Sequence, residues 1–97
     1  MHRMREKNMP DGAIPRPQSM VEKEWEAEAK RVLKAELARQ GVTYRGLAAR
    51  LESMGIRDDE KAIGNRISRG KFAFTFFLQC MRSLGVEHLD LTDRTKR

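Results

Sequence analysis

Four glycines, Gly41, Gly55, Gly70 and Gly85, each close a run of residues whose apolar side chains recur at helical spacing. Glycine most readily takes the left-handed conformation just past a helix end. The pattern therefore predicts four helices joined by short connections. No segment alternates apolar and polar residues over more than a few positions, as a half-buried strand would. The expected fold class is all-α: a compact four-helix domain with no internal repeat.

The first helix is expected from Ser19 to Gln40. Ser19-Met20-Val21-Glu22 has the capping-box spacing, with Ser at N-cap and Glu at N3. Trp25, Ala29, Val32, Leu33 and Leu37 fall on one stripe, which makes Trp25 a core residue. Glu22, Glu24, Glu26 and Glu28 are spread round the helix, where they complement its dipole and the cations Lys30 and Arg31. The second helix has Thr43 as N-cap and turns Leu47, Ala48, Leu51 and Met54 inward. Gly46 inside it costs about 1 kcal/mol relative to alanine, which fits either a close backbone approach or simple tolerance. The third runs from Asp58 or Asp59 to Arg69, with acids in its first turn and Ile63 and Ile67 inward. The fourth runs from Ala73 to Leu84 and buries Phe74, Phe77, Leu78, Met81 and Leu84. Phe72 and Phe76 are left over for a second copy, a partner or base stacking. Val86, Leu89 and Leu91 fold back as a short piece.

Residues 1–18 carry all three prolines and read as a flexible N-terminal tail. The domain then spans 19–91, and 92–97 form a polar tail. One cysteine, Cys80, allows no internal disulfide and fits a reducing, cytoplasmic location, with the thiol as a small buried hydrophobe. His2 and His88 lie at opposite ends, so no zinc-ligand spacing exists. No secretory signal and no membrane-spanning stretch is present. No nucleophile–base pair, metal set or phosphate loop is visible, so neither an enzyme nor a cofactor is expected.

The chain carries 20 Lys+Arg against 14 Asp+Glu, for a net +6. From Lys61 to Lys71 it has four basic residues, Lys61, Arg66, Arg69 and Lys71, and no acid. Opposite Ile63 and Ile67 lie Asn65, Lys61 and Ser68. Asn can pair with an adenine edge, and Lys or Arg can reach guanine. Lys61, Asn65 and Ser68 are thus the expected base readers, with Arg66, Arg69 and Lys71 as phosphate contacts. Gly64 adds no bulk and lets the helix sit deeper. Asp58, Asp59 and Glu60 would repel phosphate unless they cap the helix or lie away from the groove.

Gly41-Val42-Thr43, Leu47-Ala48 with Leu51, Ile67-Ser68-Arg69-Gly70-Lys71, Phe77-Leu78 and Leu84-Gly85-Val86 occur in that order. In this, Thr43 to Val86 resembles the lambda-repressor-like (Xre/Cro-type) helix-turn-helix family. The resemblance implies a transcriptional regulator that places its third helix, about 58–69, in the major groove of double-stranded DNA. Thr43 and Tyr44 then join the phosphate contacts, Tyr44 standing where that family often has Gln. Glu52 to Gly55 and Arg57 to Glu60 are extra relative to the family and lengthen the span between the two helices. The stretch from Trp25 to Leu91 is similar, more closely, to a bacterial domain family of unknown function. One short recognition helix reads few base pairs, so a homodimer is expected. The alternative is a protein-interaction module that keeps the fold without binding DNA, and RNA binding through the same face is a third reading.

Overall fold

The computed structural model describes residues 17–93, which form four helices: α1 (Gln18–Gln40), α2 (Tyr44–Ser53), α3 (Glu60–Arg69) and α4 (Phe74–Ser83). No strand occurs among the described residues. The expected all-α class holds. Most of the proposed N-terminal tail lies outside the described residues, as do positions 94–97 of the C-terminal one.

Each stop glycine takes a positive φ. Three of the four are followed by Val or Ile: Gly41-Val42, Gly55-Ile56 and Gly85-Val86. In each case the amide of that residue donates back over the turn. Val42 N–H bonds Leu37 O at 2.9 Å, Ile56 bonds Leu51 O at 2.9 Å, and Val86 bonds Met81 O at 3.0 Å. All three side chains pack against the core. This is the helix closure in which a left-handed residue reverses the chain and an apolar side chain seals the end.

Gly70 ends α3 differently, because Lys71 follows it and cannot be buried. Its amide bonds Ile67 O at 3.1 Å, and its α-carbon lies against the backbone of α1. A Cβ there would overlap the carbonyl oxygen of Glu26 and sit 2.7 Å from its carbonyl carbon. Only glycine permits this approach, which fixes the C-terminal end of α3 on α1.

The core consists of Leu33 and Leu37 from α1, Leu47 and Leu51 from α2, Ile63 and Ile67 from α3, Phe76, Cys80 and Met81 from α4, and Leu84. Among the described residues, no polar or charged one is buried. α3 packs on both α1 and α2, and α4 packs on α2. Burial pushes the Cys80 thiol up to about 12, so it remains protonated at neutral pH.

Several sequence expectations are corrected. α1 starts at Gln18 with Pro17 at its N-cap, and no side chain caps it. Proline's fixed φ suits a helix start, and the amides of Met20 and Val21 bond Pro17 O, so the Ser19–Glu22 capping box is not used. Trp25 is 70% exposed. The stripe it belongs to is real, but α1 runs 23 residues, about 35 Å, and only Leu33 and Leu37 on it are buried. In α4 the buried face is Phe76, Cys80 and Met81, whereas Phe74 is 70% and Leu78 50% exposed. The segment is apolar nearly all round, so spacing alone did not select a face. Met54 is the C-cap of α2 and is exposed, and Leu91 is exposed while Val86 and Leu89 pack. Gly46 meets no other helix; a Cβ there would contact Val42 Cγ1 at 3.3 Å and Thr43 Oγ1 at 3.5 Å.

Candidate nucleic-acid interface

α3 is ten residues long and therefore about 15 Å. Ile63 and Ile67 are fully buried beneath it. Lys61, Asn65, Ser68 and Arg69 all stand exposed on its remaining surface, and Lys71 is exposed just past its end. Lys71 Nζ lies 3.6 Å from Glu26 Oε2 on α1, an ion pair with the lysine largely in solvent. The helix wheel thus anticipated the outward set, and the structure brings these side chains onto one helix.

The three acids at the start of α3 each have an internal partner. Asp59 is the N-cap, its Oδ1 accepting from the Ala62 amide at 2.7 Å. Asp58 accepts from an Arg66 guanidinium nitrogen. Glu60 Oε1 accepts from Arg45 Nε at 3.2 Å, joining the first turns of α2 and α3. The repulsion expected of this acidic turn is therefore offset within the protein. Removing the cap with Asp59→Ala should cost about 0.5–2 kcal/mol of stability. Urea unfolding followed by circular dichroism measures it, and a loss below that range would mean the cap is idle.

Arg66 does not belong to the exposed face. It is half-buried, bonded to Asp58, with its guanidinium carbon 4.8 Å from the centre of the Phe76 ring. A planar cation placed over an aromatic face and hydrogen-bonded to a carboxylate is well satisfied where it is. It ties α3 to α4 and to the turn before α3.

The half-buried Tyr44 ring packs on Gly64. A Cβ at Gly64 would lie 3.0 Å and 3.1 Å from two carbons of the Tyr44 ring. The bare α-carbon therefore serves to seat that ring between α2 and α3. Gly64 thus has a packing role inside the protein. Thr43 is exposed at the N-cap of α2, where its Oγ1 accepts from the Gly46 amide at 3.0 Å.

Arg45 was missing from the sequence-derived set. Its side chain is 86% accessible. Its place directly after Thr43-Tyr44, in the first turn of α2, was the available signal. Two of the glutamates of α1 are paired with arginines of the same helix. Glu28 takes two bonds from Arg31, which hold its carboxyl below the usual range, and Glu36 pairs with Arg39. Among the described residues, no group of three or more His, Cys, Asp or Glu side chains is placed to hold a metal ion. No helix among them is long and apolar enough to cross a membrane.

No curated protein and no solved structure matches the chain. Residues 25–89, from Trp25 through all four stop glycines to Leu89, match the model of a domain of unknown function (DUF6471), and the chain belongs to that family.

Proposed function

We propose that the protein is a non-catalytic double-stranded DNA-binding protein, a transcriptional regulator of helix-turn-helix type that lays α3 in the major groove. The observation that carries this reading is the joint exposure of Lys61, Asn65, Ser68 and Arg69 on a helix anchored from below by two buried isoleucines. A helix, about 10–12 Å across with its side chains, fits a groove about 12 Å wide. Asn65 and Lys61 read base edges, with Ser68 beside them. Arg69, Lys71 and Thr43 meet phosphates, and Arg45 adds a cation near the N-terminal end of α3. Arg66 and Tyr44 belong to the scaffold that holds α3 rather than to the contact set. The similarity of Thr43 to Val86 to repressor-type sequences supports the same reading.

The test is a gel shift with random and with selected duplexes at two salt concentrations. Binding should weaken steeply with salt, by a slope of about −0.9 per phosphate contacted. Asn65→Ala should relax sequence preference by about 1–3 kcal/mol at one position. Arg69→Ala should weaken binding to all duplexes and lower the salt slope by about 1. Absence of duplex affinity at low salt would overturn the reading.

A second reading, a protein-interaction module, draws on Trp25, an exposed aromatic of the kind that anchors interfaces. A stoichiometric, salt-insensitive protein complex of a chain that ignores duplex would favour it. Preference for structured RNA over duplex in a competition assay would redirect the α3 face to RNA.

A further inference from the structure

The outer face of α4 has a chemistry opposite to that of α3. From Phe72 to Met81 the chain has no charged side chain, although charged residues make up 35% of the sequence. Phe76 points inward, under the Arg66 guanidinium. Phe74 and Leu78 lie two residues before and after it. A twist of about 100° per residue puts both within about 20° of the opposite side of the helix. Phe74 is 70% and Leu78 50% exposed. The Phe74 ring stacks on Phe77 at 6.2 Å between centroids, and Phe77 stacks on Phe72 at 6.4 Å. The exposed ring is therefore the outer edge of a continuous apolar ledge. Such ledges on small soluble chains mark contact surfaces, and aromatic anchors with few charges are the composition of an interface centre.

We propose that this ledge is a homodimer interface: α4 of one chain packs on α4 of a second copy about a two-fold axis, with Phe74 and Leu78 at its centre. Charge identifies the occupant. Near a two-fold axis each residue meets its own copy, so any charge there faces a like charge. Residues 17–93 carry 13 Lys+Arg against 12 Asp+Glu, spread along the chain, and the ten residues 72–81 are a stretch with no charge for a second copy to oppose. A different protein partner imposes no such restriction and gains from opposite charge. The exposed cations nearest to it, Lys71 and Arg82, stand at the two ends of this stretch and not at its centre. The pairing leaves Lys61 and Asn65 accessible, because the ledge is on the side of α4 away from Arg66 and α3. The proposal does not rest on the nucleic-acid reading.

Sedimentation velocity of the full chain, without nucleic acid, tests it from about 1 to 300 μM, the range suited to a small reversible interface. The expected mass rises from the 11.2 kDa monomer toward twice that value. Phe74→Asp and Leu78→Asp should each abolish the rise. Phe74 is the first residue of α4, where an acid is favoured, so the helix should persist, as circular dichroism will verify. Phe74→Gln, which adds no charge, should weaken dimerisation at least about tenfold. Trp25→Ser, on α1, should leave it intact. A chain that stays monomeric throughout overturns the proposal, whatever else binds the ledge. So does a dimer that survives the Phe74 and Leu78 substitutions, or one that is lost on Trp25→Ser instead.

Discussion

Gly70→Ala should lose at least about 4 kcal/mol of stability, a large part of the 5–15 kcal/mol that holds a domain of this kind together. Two costs combine. A side chain at φ +68 is strained, and the new Cβ overlaps the Glu26 carbonyl oxygen on α1. The first cost alone is about 1 kcal/mol. The second cannot be relieved by a rotamer change, because a Cβ is fixed by its own backbone and the atom it meets is a backbone carbonyl. α3 must separate from α1, and the layer containing Leu33, Ile63 and Ile67 opens with it. Gly41→Ala separates the two contributions. Gly41 has φ +66 but nothing within 4 Å of its missing Cβ, so it carries the strain alone. Thermal unfolding should therefore show Gly41→Ala lower by about 4–8 °C and Gly70→Ala lower by several times that, or unfolded at 25 °C. Equal losses would refute the role assigned to the α1–α3 contact.

Arg66→Ala should cost about 1–3 kcal/mol, more than an exposed ion pair contributes, because the site is half-buried. The substitution strands Asp58, removes the cation from the Phe76 ring and uncovers the aliphatic stem's packing surface. Asp58→Ala alone should be milder, since the guanidinium keeps its ring. The double variant should lose less than the sum of the two, by about 1 kcal/mol, when both are followed by urea unfolding. Additive losses would mean that the two side chains do not act together. Arg66→Lys should recover little, because an ammonium lacks the planar fork that both stacks and pairs.

The helices were legible because their ends are written locally. A glycine followed by Val or Ile marks three of the four stops, and Thr43 and the acids before α3 mark two of the starts. Leu47, Leu51, Ile63 and Ile67 were legible for a related reason: the segments around them are polar enough for one face to stand out. α4 was not, because Phe74, Phe76, Phe77, Leu78, Cys80 and Met81 surround the helix, and the choice of face depended on α2 and Arg66. Trp25 lies on the apolar stripe and is nonetheless exposed, because periodicity reports which side of a helix is apolar, not whether anything lies opposite. On the candidate face, Lys61, Asn65, Ser68 and Arg69 followed directly from the angle away from two isoleucines. The partners of Asp58 and Glu60 did not, since Arg66 is eight positions and Arg45 fifteen positions away along the chain. Only folding brings those charges together.

α2, α3 and α4 are each ten residues long. That is below the roughly 12–15 residues at which a lone helix begins to hold its shape in water. None of the three persists except against the others and the second half of α1. The outward side chains of α3 consequently have a defined spacing only while the whole assembly is intact. Presentation of that surface and integrity of the interior are one equilibrium: a cavity cut beneath Leu47 or Cys80 lowers the fraction of molecules displaying Asn65, without touching Asn65 at all.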